Sequence, residues 1–212
     1  MPAVTTEGLI LKRKNFGEAD RVLTALTDRY GKISIIAKGV RRITSRRAGN
    51  IEILNRVKLH LFKAKNYNLT EAESLETFSK LKDNLTLSTT AFHIIELVDR
   101  LSAEEQRNPK LYDLTLSVLR LLENTPRQIF VRAFEVKILS LLGFWSINGV
   151  KELNIETKDI LEKLEYDSWA EISKINLLQD QAENLERILR AYLEKILESS
   201  LKSVQVMREL KK

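Results

Sequence analysis

Arg21–Arg47, RVLTALTDRYGKISIIAKGVRRITSRR, holds two strand-like runs, the turn between them and a basic loop. Arg21 to Thr27 and Ile33 to Lys38 are rich in aliphatic and β-branched residues. Between them, Asp28-Arg29-Tyr30-Gly31-Lys32 has the composition of a hairpin connection, with glycine where a positive φ is needed. Lys38 to Arg47 (KGVRRITSRR) then carries five positive charges and no negative one. Such charges repel one another unless water, salt or an anionic partner screens them. Two readings stand for this loop. It is solvated surface that aids solubility, or it receives a polyanion that sheds its own counterions on binding.

The neighbouring segments extend the strand pattern. Val4 to Arg13 is aliphatic and β-branched, and Asn15 to Asp20, with Gly17 and two acids, has turn composition. Arg56 to Phe62 alternates: Val57, Leu59 and Leu61 on one side, Arg56, Lys58 and His60 on the other. Tyr67 to Leu75 reads as a last strand. Five short strands around a basic loop predict a small closed or partly open barrel, which removes exposed edges. From about residue 82 the period becomes helical. Asn108-Pro109 and Thr125-Pro126 place proline in a first helical turn behind a capping residue. The second of these predicts a helix running to Leu142 and ended by Gly143. Asp167-Ser168 reads as another start, and Gln179 to Met207 as a long amphipathic helix. The expected fold class is α+β and multidomain: a barrel over residues 1–80, then five or six helices over 81–212.

Charge follows the same boundary. Residues 1–80 hold 16 Lys plus Arg against 8 Asp plus Glu, a net of +8, whereas 81–212 hold 19 against 21, a net of −2. Five of the seven glycines also fall in the first part. There is no cysteine, which removes disulfides, thiolate metal sites and cysteine nucleophiles together. No apolar stretch is long enough to span a bilayer. MPAVTTEGLILKRK has no basic segment before an apolar run, so no secretory leader is expected and the expected compartment is the cytoplasm.

Catalytic constellations are sparse. Glu104-Glu105 and Glu71, Glu73 and Glu76 lie beside lysines in a loop and a strand end, where solvated surface is the simpler reading than acid–base work. The two histidines, His60 and His93, fall in different parts, so no metal and no cofactor is expected. His93, between Phe92 and Ile94 on a helix, reads as a core or interface histidine and not a ligand. No phosphate-cradling glycine motif is present. The chain is therefore read as a binding protein and not an enzyme. Lys12, Arg13 and Lys14 end the first strand; Lys38, Arg41, Arg42, Arg46 and Arg47 follow the third; Lys58, with Lys63 and Lys65, lies on and after the fourth. Strand ends of a small barrel share a rim, so these cations are expected to form one stripe along a phosphate backbone. Of Phe16, Tyr30, Phe62 and Tyr67, Phe62 is the expected stacking ring, because alternation places it with the polar residues.

Gly17-Glu18-Ala19-Asp20-Arg21, Thr27, Tyr30-Gly31 and Ala37-Lys38-Gly39-Val40-Arg41-Arg42 with Ser45 resemble the RecO family of bacterial recombination mediators. Phe134-Glu135-Val136-Lys137-Ile138-Leu139-Ser140-Leu141-Leu142-Gly143 is similar to that family's helix ending in leucine-leucine-glycine. The resemblance covers roughly residues 1–145. It implies an OB-fold followed by a helical domain, and a non-enzymatic DNA repair and recombination activity. That activity is binding of single- and double-stranded DNA, strand annealing, and help in loading RecA onto DNA coated by single-strand-binding protein. RecR is the implied partner, and the implied location is cytoplasmic and nucleoid-associated. Lys38, Arg41 and Arg42 match the motif as DNA contacts. Glu18, Asp20 and Arg21 match it too and read as charge pairing that fixes the first turn, while Gly39 permits the chain's sharp exit from the strand. Many relatives follow the leucine-leucine-glycine with a four-cysteine zinc module; Phe144-Trp145-Ser146-Ile147-Asn148-Gly149 has no cysteine, so zinc is not expected, and the stretch 145–165 reads as trimmed. The acidic tail of single-strand-binding protein needs a basic rim beside an apolar pocket, for which Arg127, Arg132 and Lys137 are the candidates. The competing reading is a protein–protein adaptor with a helical docking domain, whose basic barrel takes RNA or an acidic partner.

Overall fold

The computed structural model describes residues 3–45, 47–150, 153–198, 201–204 and 206. Five strands, β1 (Ala3–Phe16), β2 (Asp20–Thr27), β3 (Gly31–Ala37), β4 (Arg56–Lys63) and β5 (Tyr67–Glu76), form a closed barrel in the order β1-β2-β3-β5-β4. All pairings are antiparallel except β3 with β5, a parallel seam of two residue pairs, Ile35 with Tyr67 and Ile36 with Asn68. This is an OB-fold barrel followed by helices, the α+β arrangement expected.

One long strand closes the barrel. The first half of β1 pairs with β4, from Ala3 opposite Phe62 to Leu9 opposite Arg56. Its second half pairs with β2, from Gly8 opposite Thr27 to Phe16 opposite Asp20. An irregularity between Ile10 and Lys12 re-aims the strand between these two partners, as β-bulges do. Inward residues Ile10, Leu23, Ile33, Ile35, Leu59 and Leu61 fill the core and are at most 1% exposed. The alternation read in β4 is therefore the alternation of core and outer face.

The chain divides into two compact units: Met1–Ser79 with Ser102–Asp113, and Lys80–Leu101 with Leu114–Lys212. In the barrel unit, the excursion Ser102–Asp113 lies against the β2–β3 hairpin. Glu105 N–H donates to the Lys32 carbonyl at 2.8 Å, and Lys63 Nζ meets the Glu105 carboxylate at 2.9 Å. Gly31 has φ +67°, and a Cβ there would stand 2.0 Å from the Gln106 carbonyl oxygen. Glycine is thus required twice at that turn, by its backbone angle and by the passing chain. Ser102–Asp113 takes the Lys32 end of β3 and leaves the Ala37 end to the basic loop.

The helices follow in the order α1 (Ser79–Asp83), α2 (Leu85–Leu101), α3 (Pro109–Asn124), α4 (Gln128–Leu141), α5 (Ile155–Tyr166), α6 (Trp169–Ile172) and α7 (Gln179–Leu197). Helix α4 is central and packs on α2, α5, α6 and α7, which is why Phe130, Phe134, Val136 and Ile138 are all buried. Asn108 caps α3 through Leu111 N–H, 3.0 Å, and Ser168 forms a capping box with Glu171 at α6, both as the sequence suggests. Other boundaries differ. Pro126 precedes the N-cap of α4, which is Arg127, so Thr125 caps nothing there. Helix α5 has no counterpart among the expected elements; Asn154 starts it by accepting from Thr157 N–H at 2.7 Å. Helix α7 stops at Leu197 because Glu198 turns left-handed, φ 52°. Lys202–Val204 is helical again, and Met207 lies outside the described residues.

Candidate nucleic-acid interface

Two short segments build the site: the β1–β2 turn, Gly17–Ala19, and the chain leaving β3 at Lys38. They are stitched together through the backbone. The Asp20 carboxylate accepts Gly39 N–H at 2.7 Å, and the Ala19 carbonyl accepts Arg41 N–H at 2.9 Å. Arg41 Nη1 donates to the Gly17 carbonyl at 3.0 Å. Gly39 is left-handed, φ +67°, which lets the chain leave β3 sharply enough for its own N–H to reach Asp20. The expected charge pairing at this turn takes another form. Asp20 anchors a backbone N–H, while Arg21 lies 3.6 Å from Glu52, a carboxylate it shares with Arg13.

Beyond Arg41 the loop is a run of tight turns, with Arg42 N–H on the Gly39 carbonyl at 3.2 Å and Ser45 N–H on the Arg42 carbonyl at 2.9 Å. Lys38, Arg41 and Arg42 are exposed. With Asp20, Gly39, Thr44, Ser45 and Arg47, Lys38 and Arg42 line an open polar depression of about 630 Å³. In this depression Asp20 Oδ1 already accepts the Gly39 N–H, while Lys38 and Arg42 face solvent. On the hairpin beside it, Lys12, Lys14 and Phe16 alternate onto one face of β1 and are all exposed.

The remaining nominated residues are placed differently. Arg47 is turned inward: its guanidinium donates to the carbonyls of Leu69 (3.1 Å), Thr70 (3.2 Å) and Lys38 (2.9 Å), tying the far side of the loop to β5. Arg46 lies outside the described residues. Arg13 is paired with Glu52. Lys58 stands on the outer face of β4 directly between Glu7 of β1 and Glu73 of β5, a cross-strand charge arrangement apart from the basic loop. Phe62 is half-buried opposite Ala3 and Asn68, and Tyr67 is buried with Tyr30 packed on it, ring centroids 5.8 Å apart. The aromatic side chain left in solvent at this end is Phe16, 60% exposed. Its place at the end of a strand, beside the turn glycine, is the signal that could have found it.

The three cations nominated in the helical unit are engaged there. Arg127 donates to the carbonyls of Ser173 and Ile175 and to Asn176. Lys137 donates to the carbonyls of Glu165 (2.9 Å) and Asp167 (2.8 Å). Arg132 makes two bonds to Glu135, at 2.9 and 2.7 Å. Glu135 continues into a buried chain that sequence alone did not reveal: His93 Nε2 lies 2.7 Å from it, His93 Nδ1 3.2 Å from Ser203 Oγ, and Ser203 Oγ donates to Glu96 at 2.6 Å. Serine, histidine and carboxylate in a row have the residue types of a nucleophilic triad. Here all three are buried, at 6%, 2% and 1% exposure. No substrate reaches a hydroxyl so enclosed, and its proton is directed to Glu96. The chain holds the C-terminal segment on α2. Phe144-Trp145-Ser146 is likewise held by hydrogen bonds, with Trp145 Nε1 on Glu165 at 2.8 Å and the Tyr192 hydroxyl on the Phe144 carbonyl at 2.8 Å.

Residues 1–78 match the family model described as Recombination protein O N terminal, and residues 82–145 match Recombination protein O C terminal. The chain belongs to the RecO family. It is similar to the DNA repair protein RecO of Symbiobacterium thermophilum, 34% identical over 147 residues, which are 68% of this chain and 58% of that protein. It is 36% identical over 141 residues to the protein of that name from Roseiflexus, covering 66% of this chain and 50% of the relative. For these two, the matched part is between about half and three-fifths of the relative's length. A third relative, from Caldicellulosiruptor bescii, is 29% identical over 222 residues, spanning 96% of this chain and 91% of that one. The motif segments that form the interface, 17–21 and 37–42, lie inside the N-terminal match.

Proposed function

We propose that this chain is a DNA repair and recombination mediator that binds single- and double-stranded DNA through its barrel, anneals complementary strands, and assists RecA loading on DNA covered by single-strand-binding protein. The observation that carries this reading is the β1–β2 turn bonded to the β3 exit so that Lys38, Arg41 and Arg42 are presented together, with Lys12 and Lys14 on the adjoining hairpin. The first loop of an OB barrel is a recurrent oligonucleotide contact. Guanidinium and ammonium groups held by backbone bonds neutralise phosphates without reading bases. Two strands so neutralised lose the repulsion that keeps them apart and find register by pairing. No bond is made or broken, and no nucleophile is required. RecR and the acidic tail of single-strand-binding protein are the proposed protein partners, and the proposed location is the cytoplasm, on the nucleoid. Arg127, Arg132 and Lys137 would have to give up intrachain bonds to take such a tail.

The test is annealing of complementary oligonucleotides followed by fluorescence, with and without single-strand-binding protein. The full chain is expected to accelerate pairing in both cases, and the triple variant Lys38→Ala, Arg41→Ala, Arg42→Ala to lose the acceleration. A wild-type chain that leaves the pairing rate unchanged sinks the annealing reading and favours an adaptor.

A further inference from the structure

The barrel unit leaves two large apolar side chains in solvent beside its cations. Phe16 is 60% exposed and Ile43 105%. A third exposed residue, Leu75 (39%), lies toward the other end of β5. Phe16 is the last residue of β1 and shares a face with Lys14 and Lys12. Ile43 is the first central residue of the turn closed by Ser45 N–H on the Arg42 carbonyl, and so stands at its tip. The two tips are joined, because Arg41, two residues before Ile43, bonds the carbonyl of Gly17, the residue after Phe16. Turn tips favour glycine, proline, asparagine, aspartate and serine, and an aliphatic β-branched residue held outward there leaves unused the stabilisation that its burial would contribute.

We infer that Phe16 and Ile43 form a base-gripping pair, taking the faces of unstacked bases while Lys14, Lys38, Arg41 and Arg42 hold the adjoining phosphates, so that this end of the barrel prefers single strands. The inference rests on the DNA-binding reading and adds to it the residues that discriminate strand state. Charge complementarity selects the occupant. The apolar pair is set among cations, and a single-stranded nucleic acid offers both a phosphate for each cation and an exposed π-face for each apolar group. In a duplex the same faces are stacked against neighbouring bases, so it engages the cations alone.

The experiment uses the full chain and three variants, Phe16→Ala, Ile43→Thr and the pair, with binding of a single-stranded oligonucleotide, its abasic counterpart and the matching duplex read by anisotropy. Base stacking measured by truncation elsewhere corresponds to about 5- to 150-fold in affinity. A loss in that range is expected for the pair variant on the single strand, with duplex affinity and the salt slope unchanged. The wild type is expected to bind the abasic strand no better than the pair variant does, and Phe16→Trp to retain affinity. Equal losses on single strand and duplex, or an unchanged single-strand affinity, overturn the inference. So does a pair variant that binds DNA normally but loses an acidic peptide bearing an apolar residue, which would make this a peptide site. A wild type that binds neither strand nor duplex overturns the DNA reading itself, an outcome separate from the failure of the pair.

Discussion

At the residue scale, Asp20 separates two kinds of electrostatics. Counted as a charge, it is an acid in a basic depression, and its removal would tighten polyanion binding. Counted as an acceptor, it takes the Gly39 N–H at 2.7 Å and holds the exit of β3 against the β1–β2 turn. A half-buried donor left without its partner costs about 1–3 kcal/mol, whereas one exposed charge several ångströms from a phosphate changes binding by well under that once salt screens it. Asp20→Ala is therefore expected to weaken DNA binding despite raising the net charge, to lower the urea midpoint, and to speed tryptic cleavage at Arg41 and Arg42. Tighter binding with unchanged cleavage would show that the carboxylate acts as a charge alone. The same distinction governs Arg47, whose charge belongs to the sequence but whose donors are turned onto three carbonyls.

At the scale of elements, the strands were legible because a barrel wall has one dry face. The period of two in Arg56–Phe62 maps directly onto buried and outer positions, and Gly31 and Gly39 mark two places where the chain turns left-handed. The basic loop was legible as composition. What could not be read is which charges come to flank each cation, since Glu7 and Glu73 stand opposite Lys58 only when β1 and β5 come to flank β4. The helical unit shows the same limit more sharply. Arg132 reads as part of a basic rim, yet it neutralises Glu135, a residue of α4 buried at 1% exposure and facing His93 of α2. Burial pushes the Glu135 carboxyl up, but Arg132 and His93 outweigh it and hold the group below its ordinary value of 4.5. A depressed carboxyl contributes stability that is present above the unfolded value and is lost as pH falls through the folded one. The helical unit is accordingly expected to weaken in acid below about pH 4.5. Arg132→Ala leaves a buried carboxylate short of its cation, a loss of about 3–5 kcal/mol at neutral pH, visible in urea denaturation by circular dichroism. The gap from wild type is expected to narrow as Glu135 takes a proton in acid, and Glu135→Gln added to Arg132→Ala is expected to recover part of it at neutral pH. A deficit that does not change with pH would place the loss in packing of the arginine stem rather than in the orphaned charge.

At the scale of the whole molecule, the question is whether net charge or its placement makes this a DNA-binding chain. The sequence carries +6 overall, with all the excess in the first 80 residues. Diffuse positive charge raises encounter rates with any polyanion, whereas a built site must release a fixed number of counterions. Removing three cations from each part separates these cases at equal net charge. Lys158, Lys174 and Lys195 are exposed on or beside helices of the second unit; Lys38, Arg41 and Arg42 are exposed in the barrel unit. Both triple alanine variants fall from +6 to +3. With about five phosphates neutralised on a single strand, the wild-type log–log salt slope is expected at roughly −3 to −4. The barrel triple should flatten it by about 2 and weaken binding to all sequences alike, since each phosphate that is no longer neutralised removes about 0.7 from the slope. The helical triple should leave the slope where it was and lower affinity only slightly at low salt. Equal flattening by the two variants would mean that the chain binds as a diffuse cation, and the bonded turns around Asp20 and Gly39 would then serve the fold alone. Flattening by the barrel triple alone places counterion release at the exit of β3, where Asp20 and Gly17 hold the loop to the hairpin.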